Sequence, residues 1–112
     1  MVRILIVEDD LNRITQFKQN FKNANLTIVS NYYQAYYELT TKNIFDYIFL
    51  DHDLGINNGS GFDVAKLMYD YPLLTPKFIY IHSANPVGAK NMKNYLPQAR
   101  LAPMIWKKEI IF

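Results

Sequence analysis

Residues 2–10 read VRILIVEDD, a short apolar and β-branched run that stops at three acidic side chains. A nearly continuous apolar run of this length is typical of a central parallel strand, which is buried on both faces. The residues that follow place apolar side chains at helical spacing, at Leu11, Ile14, Phe17 and Phe21. Asp9 or Asp10 is placed to cap the first turn of that helix. The segment therefore predicts a strand that leads directly into a helix.

The same strand-then-helix unit repeats along the rest of the chain. Further strands are predicted at 26–29, 47–50, 77–81 and 103–106, and further helices at 32–42, from Ser60 to about Tyr71, and from Asn85 to about Leu96. Too little sequence remains for a full final helix. Alternation of this kind predicts an α/β fold with a doubly wound, five-stranded parallel sheet and helices on both faces.

Length and composition favour one ordinary globular domain over residues 1–112. Half of the 112 residues are hydrophobic and a fifth are charged, which argues against a disordered chain. The chain has no cysteine, so disulfides and thiolate metal sites are excluded. The first ten residues hold no apolar run long enough for a signal peptide or a membrane span. We expect a cytoplasmic protein.

Reactive side chains cluster at the predicted carboxyl ends of the strands, where ligands bind in doubly wound sheets. Both histidines of the chain are among them. The residues at these ends are Glu8, Asp9, Asp51, His52, Asp53, His82, Ser83 and Lys107.

Three of these side chains predict a metal site. Glu8, Asp9 and Asp51 would lie close together, and like charges raise one another's pKa unless a cation intervenes. Oxygen ligands of this kind suit Mg²⁺, which commonly also binds phosphate oxygens. Ser83 and Lys107 could contact a phosphoryl group. Each of these two also has a plain alternative, as a loop hydroxyl and a surface amine.

The motifs resemble the receiver domains of two-component response regulators across essentially the whole chain. Residues 4–10 look like the first strand and acidic pair of that family, and residues 46–51 look like its phosphoacceptor strand. The resemblance implies a CheY-like fold with strand order 2-1-3-4-5 and Asp51 as the phosphoacceptor. It also implies that the Asp53 carbonyl contacts the metal and that Ser83 and Lys107 hold the family's hydroxyl and lysine positions.

Two motifs are more similar to the receiver-like family of bacteria and phages that is thought to process cyclic phosphates. They are LDHDLG at 50–55 and HSANPVGAKNM at 82–92, which place His52 and His82 where ordinary receivers need no histidine. The resemblance implies a substrate such as an RNA end or a nucleotide-derived cyclic phosphate. No membrane partner and no sequence-specific DNA binding are expected.

The chemistry of opening a cyclic phosphate assigns roles to these residues. Charge neutralisation falls to Mg²⁺ on the three carboxylates, and proton exchange falls to His82, since imidazole titrates near pH ~6.5. His52 or Asp53 would orient the attacking group, although His52 could also be a partly buried loop histidine. Asn85 and Asn91 could contact ligand oxygens, although Asn85 could serve only as a helix cap.

Three functions remain open at this point: a metal-dependent cyclic phosphodiesterase, a phospho-accepting receiver and a pocket that only binds. The histidines favour the first. A missing final helix would also leave apolar surface near Ile110, Ile111 and Phe112 uncovered, which favours a homodimer through this region. The alternative is that these residues extend the sheet or fold back over it.

Overall fold

The computed structural model of the chain describes residues 1–41, 44–54, 59–83 and 85–101. Its elements are β1 (Arg3–Val7), α1 (Leu11–Asn20), β2 (Asn25–Val29), α2 (Tyr32–Thr40), β3 (Tyr47–Leu50), α3 (Gly61–Asp70), a 3₁₀ turn (Pro72–Leu74), β4 (Phe78–Ile81), α4 (Pro86–Tyr95) and β5 (Arg100–Leu101). All strand pairs are parallel, in the order β2-β1-β3-β4-β5. The predicted fold class and strand order are confirmed.

The register of the sheet aligns the ends of its strands. Val7 pairs with Val29 on one side and with Leu50 on the other, and Leu50 pairs in turn with Ile81. The residues that follow β1, β3 and β4 therefore leave the sheet at one level and along one edge.

The two faces of the sheet are covered by different helices. Phe17 and Phe21 of α1 pack with Ile4, Ile6 and Phe49 on one face. The other face packs against α2, α3 and α4 through residues such as Leu5, Val7, Ile48, Leu50, Ala35, Val64 and Met92. Alternate residues of β1 point to opposite faces, and Ile4–Val7 are completely buried. This explains why the strand is apolar throughout.

Polar side chains fix where the helices begin. Oδ1 of Asp10 accepts a hydrogen bond from the Arg13 N–H at 3.0 Å, so Asp10 caps α1 and leaves Asp9 for the pocket. Ser60 caps α3 in a capping box with Asp63, and Asn85 caps α4 ahead of Pro86. These starts agree with the sequence analysis.

Several predicted boundaries differ. Strand β2 begins at Asn25 rather than Leu26, and β4 begins at Phe78 rather than Lys77. Helix α2 ends at Thr40 rather than Lys42, which lies outside the described residues. Strand β5 begins at Arg100, whereas the predicted strand at 103–106 also lies outside them. The early start follows from a short turn after α4, in which the Ala99 N–H donates to the Leu96 carbonyl. Within the described ranges, no helix is long and apolar enough to cross a membrane.

Candidate metal and phosphate site

Three carboxylates meet at the carboxyl ends of β1 and β3. One oxygen each from Glu8, Asp9 and Asp51 lies within 4.8 Å of the others. Glu8 and Asp51 are buried, whereas Asp9 is exposed. The structure thus brings together the three side chains that the sequence predicted to lie close to one another. Asp9 is the one that is exposed to solvent.

The donor set fits a hard divalent cation. Oδ1 of Asp51 is buried and accepts no hydrogen bond from the described residues. A buried carboxylate oxygen without a partner is costly unless it binds a proton or a cation. Glu8, Asp9 and Asp51 are therefore the residues that would hold a metal ion.

Burial also changes the acidity of the two inner carboxyl groups. Burial, followed by the charge of Glu8, raises the pKa of Asp51 from 3.8 to about 6. Burial likewise raises the pKa of Glu8, although backbone N–H groups favour its ionised form. Oε2 of Glu8 accepts hydrogen bonds from the N–H groups of Asp9 and Asp10, at 3.0 and 3.1 Å. These bonds hold its side chain across the start of α1.

Arg13 is a site residue that the sequence analysis missed. Its Nη1 lies 3.1 Å from Oδ2 of Asp51 and 3.5 Å from Oε1 of Glu8, with a quarter of its side chain exposed. Arg13 is in the first turn of α1, and its backbone N–H is the group capped by Asp10. The helical phase of α1 could have indicated that Arg13 faces the strand ends, but an arginine in a first turn carries no distinctive motif.

His82 lies behind Glu8 and not at the open side of the pocket. The residue is completely buried, and Nε2 lies 3.1 Å from Oε1 of Glu8. Its ring packs edge-on against Phe17, with centroids 4.9 Å apart. Burial lowers the pKa of His82 to about 3. The imidazole is therefore neutral at pH 7, and we assign Nε2–H as the donor to Oε1 of Glu8.

His52 and Asp53 form a pair in the loop after β3. Nδ1 of His52 lies 2.9 Å from Oδ1 of Asp53, and about a quarter of the imidazole is exposed. The ring lies against Gly88 of α4, where a Cβ would come within 2.5 Å of the His52 Cγ. A second close contact brings α3 to the site, because a Cβ on Gly61 would lie 1.9 Å from the Asp51 carbonyl oxygen. Both helices can approach the loop only through glycine.

The other predicted site residues are Ser83, Asn85, Asn91 and Lys107. Oγ of Ser83 accepts a hydrogen bond from the Asn85 N–H at 3.0 Å, and Oδ1 of Asn85 accepts one from the Gly88 N–H at 3.0 Å. The Asn85 side-chain oxygen thus serves as a helix cap. Asn91 is exposed in the middle of α4, about 7.5 Å along the helix axis from Pro86. Lys107 lies outside the described residues.

Comparison with known proteins establishes the family. Residues 4–98 match the family described as "Cyclic-phosphate processing Receiver domain". The chain belongs to this family. The predicted resemblance is therefore confirmed.

Solved structures of response regulators share the fold at low sequence identity. The phosphorylated cyanobacterial phytochrome response regulator RcpA has a TM-score of 0.77 and 18% identity, over 90% of this chain and 79% of that one. A two-component response regulator from Clostridium difficile has a TM-score of 0.76 and 19% identity, over 96% and 86%. The Mn²⁺-bound form of response regulator Rcp1 has a TM-score of 0.71 and 16% identity, over 91% and 81%. No curated protein sequence matches the chain.

Proposed function

We propose that this receiver domain hydrolyses a cyclic phosphate ester, carried by an RNA end or a nucleotide-derived small molecule, in a Mg²⁺-dependent reaction. The observation that carries the proposal is the cluster of three carboxylates at the strand ends, with a histidine–carboxylate pair in the loop that directly follows Asp51. A phosphotransfer switch needs the carboxylates but has no need of that pair.

The carboxylates supply the metal-binding half of the site. Glu8, Asp9 and Asp51 would hold Mg²⁺, which when bound neutralises phosphate charge and polarises the bond that breaks. The hydrogen bonds from the start of α1 to Glu8 fix the side chain in place before any ligand arrives. A site held in this way loses little entropy when it binds.

The histidine–carboxylate pair supplies the proton-handling half. When Nδ1–H of His52 donates to Asp53, Nε2 carries the lone pair and can take a proton from an attacking water. The oxygen that leaves the phosphorus when the ring opens then needs a proton, and the protonated His52 can donate it. The exposed quarter of the ring makes His52 reachable by solvent and substrate.

His82 acts in this proposal through Glu8. The sequence analysis assigned it proton exchange, but a fully buried neutral ring that donates to Glu8 is better suited to orienting a metal ligand. Direct proton exchange by His82 remains a separate prediction, and the His82→Asn variant distinguishes the two. Orientation predicts weaker Mg²⁺ binding, whereas direct exchange predicts lost turnover at unchanged Mg²⁺ affinity.

The test is an assay of the purified chain on 2′,3′-cyclic nucleotides, cyclic-phosphate-ended RNA and ADP-ribose cyclic phosphate, with Mg²⁺ or with chelator. We expect Mg²⁺-dependent ring opening that Asp51→Asn and His52→Ala each reduce at least ~100-fold, the scale of lost general acid–base catalysis. Arg100→Gln, a change on exposed β5, is the control that keeps full activity. Activity that survives in Asp51→Asn would exclude the proposed site.

Phosphorylation of Asp51 is the second candidate, because Oδ1 of this carboxylate is buried without a hydrogen bond from the described residues. Incubation with acetyl phosphate and Mg²⁺, followed by intact-mass measurement, tests it. A stable single phosphoryl adduct that Asp51→Asn abolishes would favour a switch over an enzyme. Ligand binding with neither turnover nor adduct would indicate a pocket that only binds.

A further inference from the structure

Arg13 contacts carboxylate oxygens that a bound cation would also need as ligands. Its Nη1 bridges Asp51 and Glu8, at 3.1 and 3.5 Å from one oxygen of each. These carboxylates are two of the three that form the candidate metal site. A guanidinium and a divalent ion repel each other and compete for the same oxygens, so both cannot keep full contact with this pair.

The Arg13 side chain can rotate away from the two carboxylates while its backbone stays in place. Arg13 has a long, flexible side chain and is partly exposed, whereas Glu8 and Asp51 are fixed in the interior. Its backbone is anchored by the Asp10 cap, so only the side chain needs to rotate. Once displaced, the partly exposed guanidinium would remain tethered to the first turn of α1, next to the site.

We propose that Arg13 exchanges with the divalent cation and then binds the phosphate of the substrate. In the metal-free protein its positive charge holds the carboxylates together. When the cation takes over that role, the planar fork of N–H donors becomes available to two phosphate oxygens, a geometry that guanidinium matches better than ammonium. The exchange makes phosphate binding depend on metal binding. This inference rests on the function proposed above and adds a phosphate-binding residue to it.

Calorimetric titration tests the exchange without any turnover. Mg²⁺ is titrated into wild type, Arg13→Gln and Arg13→Lys, and inorganic phosphate is then titrated into each Mg²⁺-saturated protein. We expect Arg13→Gln to bind Mg²⁺ about tenfold more tightly, because a competing contact is gone, and to bind phosphate about tenfold more weakly. Arg13→Lys keeps the competing charge but loses the fork, so its Mg²⁺ affinity should stay near wild type while phosphate binding falls.

Arg100→Gln is the matched control, since it removes the same charge from exposed β5 and should change neither affinity. Equal or weaker Mg²⁺ binding by Arg13→Gln would overturn the exchange, as would unchanged phosphate affinity at saturating Mg²⁺. Unfolding of Arg13→Gln would leave Arg13→Lys to decide through its phosphate affinity. Failure of the proposed function is distinguishable, because wild type would then show the exchange in calorimetry but no hydrolysis of cyclic phosphates.

Discussion

At neutral pH, the ionised carboxylate of Asp51 destabilises the folded, metal-free protein. Its pKa is raised from 3.8 to about 6 by burial and by Glu8, so its ionised form is disfavoured in the folded protein. The unfolded chain loses this proton near pH 4, whereas the folded protein keeps it until about pH 6. The stability that this group contributes at low pH is therefore lost as the pH rises through about 6.

We expect Asp51→Asn to stabilise the metal-free protein at pH 7.5 by on the order of 1–3 kcal/mol, the scale of this pKa change. The gain should shrink towards zero below about pH 3, where Asp51 is protonated in both the folded and the unfolded state. Urea unfolding at the two pH values with chelator present measures it. A variant less stable than wild type at pH 7.5 would contradict the assigned charge state. Asp46→Asn is a control for the loss of an exposed charge, since asparagine can still accept the hydrogen bond that the Arg3 N–H donates to Asp46.

Gly88 allows the His52 ring to lie against α4. A Cβ at this position would come within 2.5 Å of the ring, so Gly88→Ala should move His52 and lower kcat/KM at least ~10-fold, as small displacements of catalytic groups do. The same change in a His52→Ala background meets no ring and should stabilise the protein by up to about 1 kcal/mol, because alanine is the better helix former. Comparing Gly88→Ala in the two backgrounds by thermal unfolding isolates the contact. An equal effect in both would refute it.

At the residue scale, the sequence indicated the pocket but not its neighbours. Glu8, Asp9 and Asp51 could be predicted because they follow buried strands whose ends must meet in a parallel sheet. The position of His82 behind Glu8 depends on which way one ring turns, and the contact of Arg13 depends on a long side chain reaching across two strands. Neither is encoded by spacing along the chain.

At the scale of elements, α1 links the stability of the fold to the site. Phe17 of this helix packs against the His82 ring, and Arg13 in its first turn contacts Asp51. Helix α1 begins at the Asp10 cap. The sequence predicted that either Asp9 or Asp10 is the capping residue. The choice between them could not be read from the sequence because it rests on which carboxylate turns to the helix and which to the pocket.

Removal of that cap should affect the site as well as stability. We expect Asp10→Ala and Asn31→Ala each to lower the free energy of unfolding by about 1 kcal/mol, since each removes a helix cap. Only Asp10→Ala should also change Mg²⁺ affinity, because α2 does not carry Arg13. Asp10→Asn keeps a capping oxygen and should retain stability. Chemical unfolding and calorimetry on the three variants measure both effects, and a change in Mg²⁺ affinity with Asn31→Ala would break the proposed link.

At the scale of the whole molecule, the alternating pattern was enough to predict the fold class, because buried parallel strands and amphipathic helices leave few ways to connect. The strand order came from the resemblance to receiver domains. Strand β5 was the weakest part of that prediction. Only Arg100 and Leu101 form it in the described residues, and both are exposed. It pairs with β4, with Arg100 opposite Tyr80 and Leu101 opposite Ile81.

The α1 face of the sheet should mediate self-association. Tyr47 and Phe78 stack there with ring centroids 4.7 Å apart, Tyr80 stacks on Phe49 at 5.1 Å, and Phe78 is 41% exposed. Among the described residues, α1 is the helix that packs on this face, and it covers Ile4, Ile6 and Phe49 but leaves the outer rings accessible. A second copy of the chain would bury such a patch. The homodimer through residues 110–112 stays a separate prediction, because those residues lie outside the described ranges.

Light scattering after size exclusion should therefore show a dimer whose fraction grows with protein concentration. Phe78→Glu should return the chain to a monomer, because a carboxylate at the centre of the patch would lose its hydration in the dimer. Leu73→Glu is the matched control, since Leu73 is fully exposed on the turn before β4 and lies outside the stacked rings. A wild-type chain that stays monomeric at the highest concentration would contradict the prediction. Dimer loss with Leu73→Glu would instead place the interface elsewhere on the surface.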